Sequence, residues 1–575
     1  MQITQLRIKN FRGIKDLEID LDSTTVLIGE NNAGKTTVLH ALQAGLKYLR
    51  ASGRAQVFNE YDFHFDENHI DPTSTDAIEI IITFQELGDE EWPEEIEQKL
   101  GGDAGIISFL PPEDRAQIKL RVTSEYAATT QEIETSFDFL DAGDNPLPAK
   151  NRSKLSNLQD IRPLFYLSAL RDAGKEFSRT AQFWSPFIKN SQILPEKKQE
   201  IEQQLLEINN SIIEAHGTFK EVQEYLANVQ KLVSVAEKDV VSIDAIPARV
   251  FDMLSRTQVN IASATGAKLP IGNHGEGTQS LSVLLLFEAF LNSELSKKSE
   301  ENIVKPIIAL EEPEAHLHPT AIRTLWKTIE KIDGQKVIAT HSGDLLSEVN
   351  LCSIRRLYRS GNDVKIGRIP KELFHGKELQ KFNYFVGRTQ GELYFAKTWI
   401  LVEGETDVIL LSGAAKALVF DLERYGVRLV EYAQSDLTLY IKAANALGIA
   451  WYLFSDGDPA GDRNIGKARA MLRSSHYPNR HVGLIPDGDD VEPFLCKNGF
   501  LDVYLENASE QKLRTVTVSS ESSEYPTEIA KCLPKNGKPN AAHEVVAKMI
   551  EEPDKVPKVF RFAIYKAAAL GRRGI

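Results

Sequence analysis

Gly29-Glu-Asn-Asn-Ala-Gly34-Lys35-Thr36 is the stretch on which the reading of this chain turns. It fits the pattern GxxxxGK[ST]. The apolar run Val26-Leu-Ile-Gly29 leads into it and a helical stretch, residues 37–49, follows, which is the strand–loop–helix setting the pattern requires. Glycines at those positions let backbone N–H groups converge on phosphate oxygens at a helix N-terminus. Gly29, Asn31, Asn32, Gly34, Lys35, Thr36 and Thr37 are therefore the candidate residues for holding ATP with its Mg²⁺. Lys35 would reach the β- and γ-phosphates, and Thr36 would ligate the metal. A phosphate loop also needs carboxylates for the metal and for water. The apolar strand Pro306-Ile-Ile-Ala-Leu ends in Glu311 and Glu312. Glu311 would complete the Mg²⁺ shell, and Glu312 would polarise an attacking water as a catalytic residue. A further strand, residues 336–339, delivers Thr340-His341-Ser342.

The texture changes after residue 395. Short strands at 399–403, 427–432, 450–454 and 481–485 alternate with helical stretches, a βαβ rhythm that predicts a parallel sheet. The first strand ends in Glu403-Gly404-Glu405-Thr406-Asp407, and a later one ends in Ser455-Asp456-Gly457-Asp458. Carboxylates at the C-terminal ends of parallel strands face one crevice. Gathered acids repel one another unless a cation sits among them. Oxygen donors without Cys or His suit Mg²⁺ or Mn²⁺ better than zinc. Glu403, Asp407, Asp456 and Asp458 are the candidate metal ligands. A second ion would draw on Asp490 and Glu492, or on Glu431 at the end of 427–431.

Composition bounds the rest. At 575 residues the chain exceeds one ordinary domain, with 42% hydrophobic and 26% charged residues, as in a folded globular protein. The net charge of −15 argues against a general polyanion binder of the histone kind. The deficit is uneven: residues 396–575 carry 23 Lys+Arg against 24 Asp+Glu, which leaves 44 against 58 in residues 1–395. Any polyanion is easier to place on the back part, or in a cleft between the two. Cys352, Cys496 and Cys532 form neither a CxxC nor a paired framework, which suits a reducing compartment. The charged start MQITQLRIKNFRG lacks the apolar run of a signal peptide, and no stretch reaches spanning length, so a cytoplasmic location without membrane contact is expected. Between 196 and 235 the apolar spacing (Ile201, Leu205, Ile208, Ile212, then Phe219, Val222, Leu226, Val229, Val233) predicts a helical hairpin, either packed on its own domain or serving dimerisation.

Several motifs add up to a resemblance. His316-Leu-His318-Pro319 follows the paired acids, Asn273-His-Gly275-Glu-Gly277-Thr-Gln279-Ser280 lies upstream, and Asn10-Phe-Arg12-Gly13 opens the chain. Together they resemble the ATPase heads of the ABC superfamily in its RecF/SMC-like branch. There Glu311 and Glu312 correspond to the Walker B pair, His341 to the switch histidine, and 273–280 to the signature loop, which departs here from LSGGQ. The EGxxD…DxD acids of the back half resemble a Toprim domain. Lys535-Asn-Gly537-Lys538-Pro539 resembles the late lysine motif of that domain in the overcoming-lysogenization-defect (OLD) nucleases, where Lys538 would offset transition-state charge. The order of motifs is similar to the stand-alone OLD-type nucleases, including the Gabija and retron-associated subunits.

The resemblance implies an α/β architecture: an ABC-type (RecF/SMC-like) ATPase head with a helical dimerisation insertion, then a Toprim domain with a parallel sheet. The expected division is 1–175 and 251–395 for the head, 176–250 for the insertion and 396–575 for Toprim. It further implies a nucleotide-regulated, divalent-metal-dependent DNA endonuclease of anti-phage defence, acting as a homodimer or homotetramer, with a separately encoded helicase or retron partner. The alternatives are a RecF-like DNA-binding ATPase whose Toprim domain does not cut, and a Toprim nuclease of RNA or tRNA.

Overall fold

The structure, a computed structural model, describes residues 1–49, 57–67, 69, 71–87, 92–102, 104–111, 115–127, 129–168, 176–177, 184, 193–219, 221–222, 243–247, 249–254, 257, 259–262, 266–295, 304–388, 391–433, 436–472, 478–534 and 536–573. The chain forms two compact units. One comprises Met1–Tyr166, Lys305–Pro313 and Asp333–Ile575, and the other Leu167–Val304 and Glu314–Ile332.

The first unit contains three sheets. Gln2–Phe11 alternates buried and half-buried residues, as a strand with one face on a core must. It pairs antiparallel with Ile14–Asp20 and Ile78–Gln85, and Arg115–Ala127 extends the sheet. The second sheet runs Asp363–Arg368, Ile354–Ser360, Thr24–Gly29, Gln335–Ala339, Ile307–Glu311, Leu164–Leu167. Its central strands are parallel and buried on both faces, which is why Val26-Leu-Ile, Ile307–Leu310 and Val337–Ala339 read as continuous apolar runs rather than alternating ones. Register aligns Leu27 with Ala339 and Ala339 with Glu311. The phosphate loop, the paired acids and Thr340-His341 therefore leave the sheet side by side. Only glycine fits at position 29, where φ is 145° and a Cβ would come within 2.1 Å of the Leu357 carbonyl oxygen. The helix after the loop covers Lys35–Gln43 and continues as a π-helical turn, Ala44–Tyr48.

The C-terminal sheet is wholly parallel, in the order Val427–Glu431, Thr398–Val402, Ala450–Ser455, Val482–Leu484. Val427–Glu431 lies between the two motif-bearing strands in sequence but outside them in the sheet. The chain crosses back, so the strands ending at Glu403 and Asp456 are direct neighbours. Helix Glu405–Ala417 packs on helix Gly537–Glu551, where Gly413 is needed because a Cβ would come within 2.2 Å of Val546. The motif Gly537-Lys538-Pro539 forms the first turn of the latter helix. Proline is tolerated there because the first N–H groups have no intrahelical partner.

In the second unit, helix Pro195–Ala215 supplies the first arm of the expected hairpin. The second arm, from Phe219 to Val233, falls largely outside the described residues. The buried Asn209 amide bonds the Ile243 carbonyl and accepts from the Ala245 N–H, tying the returning chain to this helix. The signature-like stretch opens helix Glu276–Phe290, and Glu276 pairs with His316 at 2.8 Å within the same unit. Among the described residues no helix is long and apolar enough to cross a membrane.

Candidate functional sites

The first site is a cavity of about 660 Å³ bordered by Asn31, Gly34, Thr36, Glu312, His341 and Arg359. Lys35 is folded onto the loop, its Nζ donating to the carbonyls of Gly29 (2.8 Å) and Glu30 (3.0 Å). Burial pulls its pKa down to about 8, against the opposing pull of Glu312, Glu30 and Glu311. Glu311 is held from two sides: the Thr36 hydroxyl donates to Oε1 and the Tyr166 hydroxyl to Oε2, each at 2.5 Å. A carboxylate bridged to the phosphate-loop threonine is the donor set that a nucleotide-bound Mg²⁺ requires. Glu312 sits at φ 43°, a left-handed conformation costly for a residue with a Cβ, and its N–H donates to the Ala339 carbonyl. Its Oε1 is 3.7 Å from Nε2 of His341, too long for a hydrogen bond. Burial, then Lys35, hold the His341 pKa below its ordinary value. Of the candidate residues, Asn31, Asn32, Gly34, Lys35, Thr36, Thr37, Glu312 and His341 line this cavity, and Gly29 and Glu311 meet it through their bonds to Lys35 and Thr36. Tyr166, which holds Glu311, and Arg359, which lines the cavity, carry no motif and are brought to the site only by the fold, while Gly13 arrives from the Asn10–Gly13 motif.

The second site lies at the C-terminal edge of the parallel sheet. Asp407 is buried (8% exposed) and its Oδ2 accepts from the Gly404 N–H at 3.2 Å. Burial raises its pKa to about 6, with Glu492 and Glu403 adding to the effect of burial. Asp456 is pushed further, to about 8, by burial and then by Asp407, Glu492, Asp490 and Glu403. Glu403 and Asp490 are also raised, burial first and Asp458 next. These mutual effects mean that Glu403, Asp407, Asp456, Asp458, Asp490 and Glu492 share one field. Glu431 ends the edge strand Val427–Glu431, paired with Val402. Asp458 caps its helix, Oδ1 accepting from the Gly461 N–H at 2.6 Å, which leaves Oδ2 for a ligand. Lys538 Nζ reaches Oε1 of the buried Glu492 at 2.8 Å.

One atom singles out this cluster. Asp456 Oδ1 is buried without a hydrogen-bond partner among the described residues. A buried carboxylate oxygen so placed is costly unless a proton or a cation reaches it. The oxygen-only donors and this unsatisfied atom fit a hard divalent cation, although among the described residues no three side chains are drawn into a finished ligand set.

A phosphate-loop ATPase head continued by an acid-bearing parallel sheet defines an ATPase–Toprim protein. Residues 1–390 match the family described as "Protein of unknown function (DUF2813)", to which the chain belongs, and residues 394–458 match the "Overcoming lysogenization defect protein-like, TOPRIM domain". The chain is 25% identical over 519 residues to "Uncharacterized protein YbjD" of Escherichia coli K12, covering 88% of each chain. It is 23% identical to "Endonuclease GajA" of Bacillus cereus VD045, covering 80% of this chain and 75% of that one. It is 25% identical to "OLD nuclease" of Thermus scotoductus, covering 79% and 82%. The expected OLD-type organisation, an ATPase head followed by Toprim, is thus met.

Proposed function

We propose that this chain is a divalent-metal-dependent DNA endonuclease whose cleavage responds to nucleotide at the head. The observation that carries the reading is the set of four carboxylates after two adjacent parallel strands, joined by Asp490 and Glu492 beyond the next strand, with Asp456 Oδ1 buried and unsatisfied. The nuclease names of two relatives agree with it.

Glu403, Asp407, Asp456 and Asp458 would hold one Mg²⁺ or Mn²⁺, with Asp490 and Glu492 adding to a second position. When bound, such ions supply Lewis acidity and a water acidified toward neutrality. The chain's own residues do the rest. The Gly404 N–H fixes Asp407, and the cap on Gly461 fixes Asp458, so both carboxylates are pre-oriented. Lys538, paired with Glu492, brings a cation to the place where negative charge grows on the phosphoryl oxygens. At the head, Lys35 would exchange the Gly29 and Glu30 carbonyls for phosphate oxygens, and Glu312 beside His341 would orient water. Cytoplasmic location, assembly as a homodimer or homotetramer, a separately encoded partner and a role in anti-phage defence belong to the same reading.

The test is conversion of supercoiled plasmid to nicked or linear DNA in Mg²⁺ or Mn²⁺, with and without ATP. Asp456→Ala and Glu403→Ala should each abolish it. Full activity in both variants would overturn the assignment, and ATP hydrolysis with DNA binding but no cutting would favour the RecF-like alternative.

A further inference from the structure

Beside the carboxylates runs a groove of about 390 Å³, lined by Asp490 and Glu492 at one end and by Lys512, Thr527, Lys531 and Lys538 beyond. Charge changes sign along it. Asp489, Asp490 and Glu492 supply the acids, Glu492 is matched by Lys538, and Lys512 and Lys531 add two exposed cations. In a chain of net charge −15, two lysines continuing a groove that starts at an acid cluster call for a reason.

Lys512 is also held in place. Its Nζ donates to the carbonyls of Leu533 (2.6 Å) and Lys531 (3.2 Å). An ammonium has three donors, so one is left for a ligand, and little side-chain freedom remains to be lost on binding. The exposed Lys531, at the end of helix Tyr525–Lys531, pairs with the half-buried Glu528 at 2.8 Å, a contact weak enough in water to be exchanged for a phosphate.

We propose that Lys512 and Lys531 seat the phosphate adjacent to the one cleaved, so that the nucleic-acid strand leaves the carboxylates along this groove. This rests on the nuclease reading above. They are positioning residues: they do not touch the reacting phosphorus but fix the register of the strand that carries it. Contacts of this kind add sequence-independent affinity and salt dependence, and leave the chemical step alone.

The measurement is steady-state cleavage of a labelled duplex by the full chain over a range of salt. Lys531→Glu, an exposed change that leaves the fold intact, should raise KM about tenfold with kcat within about twofold. It should also flatten the slope of log(kcat/KM) against log[salt] by about one. Lys512→Ala should act in the same direction, and Lys512→Arg, which keeps the charge, should restore KM. Unchanged KM and salt slope in Lys531→Glu would overturn the proposal, as would a loss confined to kcat. If the wild type cuts nothing, the nuclease reading falls. Duplex binding by fluorescence anisotropy then decides the lysines separately: weakened binding with a flatter salt slope in Lys531→Glu supports the seat, and unchanged binding overturns it.

Discussion

Glu30, inside the phosphate loop, places Oε1 3.0 Å from Nζ of Lys397, the residue before the strand that ends at Glu403. The Glu30 carbonyl also accepts from Lys35. The phosphate-loop lysine, a loop acid and the first strand of the Toprim sheet are thus joined in sequence. If Lys35 turns to a phosphate, the Glu30 backbone loses a partner and the pair with Lys397 is the first contact to feel it. Lys397→Met should therefore shrink the effect of ATP on cleavage while nucleotide-free cleavage stays near wild type. Both side chains are nearly half exposed (43% and 47%), so stability should change by less than about 1 kcal/mol. An ATP response equal to wild type would remove the pair from the coupling.

The same junction has a rigid fastening. Arg356, on the head strand Ile354–Ser360, is buried, and its guanidinium donates to the carbonyls of Tyr394, Ala396, Leu447 and Gly448. Burial lowers its pKa to about 10, which leaves it cationic at neutral pH. Arg356→Met keeps much of the packing but strands four buried acceptors. The expected cost is about 3–5 kcal/mol, read as a lower midpoint in urea or thermal unfolding. A loss under about 1 kcal/mol would mean that water replaces the guanidinium without penalty.

Asp456 yields a pH prediction for the metal-free protein. Its folded pKa, about 8, lies above its unfolded value, so its stabilising contribution is complete only below the unfolded value and is lost as pH rises through about 8. Metal-free protein should therefore gain stability as pH falls from about 8 toward about 4, where other carboxylates begin to oppose it. Asp456→Asn removes the buried charge. It should raise the metal-free Tm by several degrees at pH 8, with the gap narrowing at lower pH, and abolish cleavage. A variant no more stable than wild type at pH 8 would show that Asp456 is relieved in some other way.

The two sites were legible in sequence to different depths. Gly29–Thr36 and Glu311-Glu312 are contiguous motifs whose chemistry dictates their spacing, and both were readable at once. Glu403, Asp407, Asp456 and Asp458 were readable because strand ends in a parallel sheet share an edge. The adjacency of their strands was not, since crossover order is set by packing and leaves no mark in a period-two pattern. Tyr166, 145 residues from Glu311, and Arg356 are single residues whose roles exist only in three dimensions. That Gly537-Lys538-Pro539 opens a helix leaves no mark in the sequence, because a proline that ends most helices is also tolerated in the first turn of one.

Tyr166 carries the last prediction. Its hydroxyl and that of Thr36 are the two hydrogen bonds that orient Glu311, and burial, then Glu311 itself, keeps the phenol protonated far above its ordinary range. The donor is therefore permanent at any working pH. Tyr166→Phe removes that donor alone, keeping the ring beside His40. A neutral donor to a charged acceptor contributes about 1.5–3 kcal/mol, part of which water recovers in this half-buried place. Affinity for ATP with Mg²⁺ should fall roughly three- to tenfold by calorimetry. Affinity for ATP in excess chelator should hardly move if Glu311 acts on the metal, as proposed, and not on the phosphates. Equal losses with and without Mg²⁺ would instead mean that the phenol shapes the cavity as a whole.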